Sequence, residues 1–177
     1  MLLRSPRSPG VRPTTDRVRS ALFNMLASYG LLEATVADLY SGTGSLGIEA
    51  LSRGAAHADL VEADRKQVEV ILENLTTTKL AARGTLVHAT VERAIERLSG
   101  PYDYILMDPP YTKPFPTDVV TRVGELGLLA KEGIAVVGHA SRVAAPESCG
   151  RMSRWDDRRY GDTSLAFYSV ASEETET

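Results

Sequence analysis

Apolar positions along this chain fall in short blocks, and the blocks alternate between a helical and an extended period. Val18, Leu22, Met25 and Tyr29 share one face of a helix that Thr14 or Thr15 would cap. Residues 34–40 form an apolar run of strand length, 46–53 a helix stopped by Gly54, and 58–62 a second strand. Asp64 then caps a helix carrying Val68, Ile71, Leu72 and Leu75 at helical spacing. Gly84–His88 reads as a third strand, and Val91, Ile95 and Leu98 as the next helical stripe. Tyr102–Met107 is a fourth strand, Val119, Val123 and Leu126 mark a further helix, and 133–138 is a fifth strand. The period then changes. Residues 151–160 and Thr163–Val170 read as two strands joined at Gly161-Asp162, a pair suited to a tight hairpin turn.

Strands that alternate with helices predict a parallel sheet with right-handed crossovers, and the final hairpin predicts an antiparallel edge. The expected class is α/β, with helices on both faces of a mostly parallel sheet. One domain is expected over 14–170, preceded by an irregular arm (1–13) with three prolines and followed by an acidic tail (171–177). Ligands of such sheets bind beyond the carboxyl ends of the strands, so the residues after each strand carry the chemistry.

Composition narrows the class. The 177 residues suffice for one buried core. No apolar run approaches the roughly 20 residues of a membrane helix, and the N-terminal apolar stretch is too short for a signal peptide. Cys149 is the single cysteine, which excludes an internal disulfide and fits a cytoplasmic protein; Pro146-Glu147-Ser148-Cys149-Gly150 reads as loop. A net charge of −3 argues against non-specific wrapping of nucleic acid. Basic residues are nevertheless clustered: Arg4, Arg7, Arg12, Arg17 and Arg19 near the start, and Arg151, Arg154, Arg158 and Arg159 near the end.

Two strand ends hold the candidate chemistry. The first strand ends in Asp38-Leu39-Tyr40-Ser41-Gly42-Thr43-Gly44-Ser45-Leu46-Gly47, and Glu62 falls twenty residues after Gly42. This matches the dinucleotide fingerprint, so a NAD-binding oxidoreductase is a competing reading. Asp38 opposes it, since a carboxylate beside the loop disfavours a pyrophosphate. S-adenosylmethionine has no phosphate and carries an ammonium and a sulfonium, which acidic neighbours favour. Glu62 is placed to accept hydrogen bonds from ribose hydroxyls of either cofactor.

The fourth strand ends in Asp108-Pro109-Pro110-Tyr111. An exocyclic amine on a nucleobase is a poor nucleophile because its lone pair is delocalised into the ring. Acceptors on both amine hydrogens localise that pair and aim it. Asp108 and a carbonyl of Pro109 or Pro110 supply such acceptors, in a direction that proline fixes. Tyr111 offers a ring for stacking, worth about 1–3 kcal/mol. The two motifs together point to methyl transfer onto a base nitrogen, with no metal required.

At this point the chain resembles the bacterial 16S ribosomal RNA guanine-N2 methyltransferases, the family acting on guanine 966. The match is carried by Arg12-Pro13-Thr14-Thr15-Asp16-Arg17-Val18-Arg19, by the glycine loop continuing to Glu49-Ala50-Leu51-Ser52-Arg53-Gly54-Ala55, by Val61-Glu62-Ala63-Asp64, by the tetrad, and by Tyr160-Gly161-Asp162-Thr163. The resemblance implies a seven-stranded Rossmann-like fold and methylation of 16S rRNA in the 30S subunit or an assembly intermediate. It implies a cofactor site of Asp38, Tyr40, Ser41, Gly42, Thr43, Gly44, Glu62, Ala63 and Thr90, with Asp108, Pro109, Pro110 and Tyr111 catalytic. Arg12, Thr15, Arg17, Arg19 and Arg158 are the implied RNA contacts. Thr90 stands where the family carries Asp or Asn, Gly138-His139 where an acidic residue is common, and only residues 1–11 precede the first motif. The alternatives are a DNA adenine-N6 methyltransferase and a non-catalytic assembly factor that binds S-adenosylmethionine. The sequence does not give the oligomeric state; a monomer is the working expectation.

Overall fold

The computed structural model describes Leu3 and residues 15–173. The proline-rich arm, Thr14 as a cap, Arg12 and residues 174–177 lie outside the described residues. Eight strands form one sheet: β1 (Thr35–Leu39), β2 (His57–Glu62), β3 (Gly84–His88), β4 (Tyr102–Met107), β5 (Leu129–Ala140), β6 (Ser148–Cys149), β7 (Met152–Tyr160) and β8 (Thr163–Val170). Their order is β3-β2-β1-β4-β5-β8-β7-β6. The first five strands pair in parallel, and β8, β7 and β6 add in antiparallel fashion.

The helices are α1 (Asp16–Tyr29), α2 (Ser45–Ser52), α3 (Arg65–Thr77), α4 (Val91–Ala94) and α5 (Thr117–Glu125). The central strands β1, β4 and β5 are apolar on both sides because both of their faces are covered, whereas the outer strands β3 and β7 are half-buried or exposed along most of their length. Val36, Leu60, Tyr104, Leu106, Val136 and Phe167 face a core closed by α1, α2 and α3. Ala37, Leu39, Ile105, Met107, Val137 and Tyr168 face a second core closed by α4 and α5. Thr15 caps α1 through Val18 N–H, and Asp64 caps α3 through the N–H groups of Lys66 and Gln67. Thr90 likewise caps α4.

Four expectations need correction. The sheet has eight strands rather than seven, because the expected loop around Cys149 contains β6, a two-residue edge strand paired with β7. Cys149 is therefore buried, and burial pushes its thiol up from the ordinary range. The stripe Val91, Ile95, Leu98 gives only a four-residue helix, followed by turns whose N–H groups return to Ala94, before Gly100-Pro101 ends the run. Leu72 is half-exposed rather than core, since α3 packs over the outer strands β2 and β3, where the covered stripe is narrow. The fifth strand also extends further at both ends than the apolar run 133–138, since β8 supplies partners up to Ala140.

The order reverses between β1 and β4, the switch point at which a crevice opens above the sheet. Leu39 pairs with Met107, so the glycine loop and the Asp108 tetrad emerge side by side.

Candidate active site

Asp38, near the end of β1, is fully buried. Its Oδ2 accepts hydrogen bonds from Ser41 Oγ at 2.8 Å and Gly47 N at 3.0 Å, which fixes the turn into α2. Its Oδ1 is buried and has no hydrogen-bond partner among the described residues. Burial pushes the Asp38 carboxyl up to about 7; the negative charges of Asp108 and Glu62 add to the rise, and the Ser41 and Gly47 hydrogen bonds oppose it. The carboxyl groups of Asp38, Asp108 and Glu62 thus bear on one crevice. This is an environment that a sulfonium or ammonium would relieve and a pyrophosphate would aggravate. By that test the residues present fit S-adenosylmethionine.

The loop itself is held open by unusual backbone. Tyr40, Gly42 and Gly44 have φ of 62°, 58° and 83°. For Tyr40, a bulky residue, that region is strained, and such strain gathers where a ligand is gripped. Ser41 N–H donates to Val61 O and Gly44 N–H to Ser41 O, while Asn74 Nδ2 donates to Thr43 O at 3.0 Å. Glu62 closes the ring: Oε1 accepts from Gly42 N–H at 2.8 Å, and Oε2 from Ala63 and Asp64 N–H at 2.8 and 3.0 Å. Glu62 therefore already organises the loop. Its carboxylate oxygens keep further lone pairs for ribose hydroxyls. The ring of Tyr40 is partly buried, and burial together with Glu92 holds its hydroxyl up at about 12. Thr90 Oγ1 is engaged at 3.4 Å in capping α4 through Arg93 N–H.

On the neighbouring strand, Pro109 is buried, and Asp108, Pro110 and Tyr111 are half-buried. The Asp108 carboxylate and the Tyr111 hydroxyl converge over Gly138 of β5. Behind the tetrad, Pro109, Pro110, Tyr111, Phe115, Gly138 and His139 line a hollow of about 230 Å³ that includes open solvent. A second, apolar hollow carries Leu22 of α1 alongside Leu106, Asp108 and Gly138, so α1 reaches the site from one side.

Of the expected RNA contacts, Thr15, Arg17, Arg19 and Arg158 are among the described residues. Because Leu22 lies near Asp108 while Gly30, just past the end of α1, takes the Tyr104 hydroxyl near the start of β4, α1 runs from the site towards the opposite edge of the sheet. Its first turn, with Thr15, Arg17 and Arg19, therefore stands at the site's edge; Arg17 is exposed and Arg19 is paired with Asp16 at 2.8 Å. Arg158 of β7 pairs in register with Leu165, which pairs with Gly138. Its guanidinium lies 5.8 Å from the Phe167 ring centroid and 2.8 Å from Asp156. Sequence reasoning singled out Gly138-His139 only as a departure from the family pattern and gave it no role, and it passed over Phe115, whose one signal is its position just after the tetrad.

The fold and the paired strand-end motifs place this chain in the class of S-adenosylmethionine-dependent methyltransferases. Within that class the Conserved hypothetical protein 95 family matches residues 1–169, and the chain belongs to that family. Ribosomal RNA small subunit methyltransferase D of Escherichia coli is 38% identical over 132 residues, covering 75% of this chain and 66% of that protein. The Bacillus subtilis protein YlbH is 34% identical over 175 residues, covering 94% of this chain and 91% of its own length. A solved structure from Streptococcus pyogenes, described as a conserved hypothetical protein, superposes with a TM-score of 0.78 at 34% identity, over 88% of this chain and 96% of that one.

Proposed function

We propose that this protein transfers a methyl group from S-adenosylmethionine to the exocyclic N2 amine of a guanine in small-subunit ribosomal RNA. The juxtaposition of the Asp38 loop and the Asp108 tetrad on adjacent strands carries this reading. The ribosomal RNA target is supported by the E. coli relative, whose name assigns it that substrate. The family resemblance supports guanine N2 and the 30S particle.

When bound, S-adenosylmethionine supplies an electrophilic methyl group on sulfur. Asp38, the 40–44 loop and Glu62 would hold it: the Asp38 carboxylate would face its positive charges, the loop backbone its amino-acid end and Glu62 its ribose hydroxyls. Asp108 accepts a hydrogen bond from the target amine and stabilises the positive charge that develops on nitrogen. A carbonyl of Pro109 or Pro110 accepts the second amine hydrogen, which directs the lone pair. The surplus proton leaves nitrogen by way of Asp108. Tyr111 holds the base by stacking, an energy comparable with the few kcal/mol of extruding it. Thr15, Arg17, Arg19 and Arg158, with Arg12, would contact phosphates around the opening.

The test is transfer of labelled methyl from S-adenosylmethionine to 30S particles lacking the modification, with the product nucleoside identified by mass spectrometry. N2-methylguanosine is the expected product. Label on adenine N6, or none on any RNA, overturns the reading.

A further inference from the structure

His139 is a buried titratable side chain with no part in the chemistry above. It lies on β5 one residue beyond Gly138 and is 5% exposed. Nδ1 lies 3.0 Å from the Ala140 carbonyl oxygen, and Nε2 lies 3.0 Å from Asp157 Oδ1 on β7. A carbonyl and a carboxylate are both acceptors, so each ring nitrogen faces a group that can hold it by a hydrogen bond. The ring meets Phe115 in a T-shaped contact, with centroids 5.6 Å apart and planes at 74°. Phe115 also packs against Tyr168 at 6.1 Å.

Phe115 belongs to the loop that joins the tetrad to α5. The hydrogen bonds described within that loop are few, Lys113 N–H to Pro110 O and Thr117 N–H to Phe115 O. Pro114 and Pro116 stiffen the backbone on either side of Phe115, but they leave its side-chain rotamer to its neighbours. Its ring contacts are with His139 and Tyr168, and it packs against the second core. His139 is itself tied across the sheet to β7, and Phe115, His139 and Tyr111 line one hollow.

We propose that His139, held by Asp157 and the Ala140 carbonyl, is a positioning residue. It fixes Phe115 as a second aromatic wall of the hollow that receives the target base. The inference rests on the methyl-transfer reading only in taking that hollow as the base site. The Asp157–His139 contact thereby couples the C-terminal hairpin to the tetrad.

Two readouts separate the proposal from the reading it rests on. In the full chain without RNA, ¹⁵N NMR of labelled histidine should show the His139 Nε2 bonded to hydrogen and facing the Asp157 carboxylate. Asp157→Ala should abolish that pattern and shift the Phe115 ring resonances while the Gly42 and Gly44 amides stay in place. An Nε2 without hydrogen, or unmoved Phe115 resonances in Asp157→Ala, overturns the clamp whatever the substrate proves to be. In methyl transfer to 30S particles, Asp157→Ala and His139→Ala should raise KM for RNA by about 5- to 100-fold, the range of one lost aromatic–base contact. The dissociation constant for S-adenosylmethionine should stay unchanged. Asp157→Asn keeps an acceptor oxygen and should recover most of the loss, and the double alanine variant should be no worse than either single one. Wild-type KM in folded His139→Ala overturns the positioning role. A wild-type protein that methylates no RNA overturns the functional reading instead, and the NMR result then decides the clamp.

Discussion

The Asp108 carboxylate lies directly against Gly138 of the neighbouring strand: a β-carbon at position 138 would stand 2.6 Å from Asp108 Oδ1 and 3.4 Å from the Tyr111 hydroxyl. No ordinary contact is that short, so any side chain at 138 must displace the carboxylate. Glycine is therefore required there by close approach between two strand ends, while its own φ is unremarkable. The consequence is that β5, which contributes no acceptor to the proposed chemistry, still sets where the acceptor on β4 points.

Gly138→Ala is accordingly expected to lower kcat by about 10²-fold through misplacement of Asp108 by a fraction of an ångström or more. Affinity for S-adenosylmethionine should be kept, because the loop after β1 is not touched. Kinetics on the 30S substrate, together with calorimetric titration of the cofactor, checks both halves. An alanine variant with wild-type kcat would show that Asp108 has room to move and does not need this geometry.

Asp38 predicts a pH dependence with a definite sign. Its folded value of about 7 lies above the ordinary 3.8, so between those values the folded protein keeps a proton that the unfolded chain releases. This group's contribution to stability is thus full at low pH and is lost as pH rises towards 7. Binding of a cation favours the deprotonated form, so cofactor affinity should weaken below pH 7 and binding should release a proton there. Titrations at pH 6 and pH 8 in buffers of different ionisation enthalpy measure both. Asp38→Asn should remove the pH dependence of binding along with much of the affinity. Equal affinity and no proton release at the two pH values would reject the role given to Asp38.

How much of this was legible in the sequence follows from what sets each feature. The strands Gly84–His88, Tyr102–Met107 and Thr163–Val170 are found with the boundaries read from the chain, because each is an apolar run bounded by residues that break it. Asp64 and Thr15 were legible as caps because capping is local chemistry between residues two or three apart. The site motifs were legible for the same reason, since each is a continuous segment at a strand end. What was hidden depends on pairing between distant segments. Cys149 becomes strand only because Met152 sits opposite it, and Leu72 is exposed only because α3 lies over the outer strands. Gly138 and His139 acquire meaning through Asp108, Phe115 and Asp157, none of which is near them in sequence.

Glu62 carries a prediction that distinguishes it from a ribose-binding carboxylate alone. It receives three backbone N–H groups, from Gly42, Ala63 and Asp64, and hydrogen bonds to a charged acceptor contribute about 1.5–3 kcal/mol each. Glu62→Gln keeps one acceptor oxygen and loses the charge and the other. It should lower the melting temperature of the protein by about 2–8 °C even without cofactor, taking about 1–2 kcal/mol as the net loss. Cofactor affinity should fall in the same variant. A variant with reduced affinity and an unchanged melting temperature would confine Glu62 to the ligand.

Arg158 gives the sharpest test of where RNA lies. Its guanidinium is held over Phe167 and against Asp156, at the level of Gly138 two strands away. An exposed pair of this kind adds little to folding, so Arg158→Ala should leave the melting temperature nearly unchanged. If the arginine contacts a phosphate, the variant should bind 30S particles more weakly and reduce the slope of log affinity against log salt by about 1. Arg65→Ala, which removes an exposed arginine from the start of α3, serves as the control for a general change in charge. Equal salt slopes for wild type and Arg158→Ala would place the RNA path away from the β7 edge and leave the first turn of α1 as the remaining described candidate.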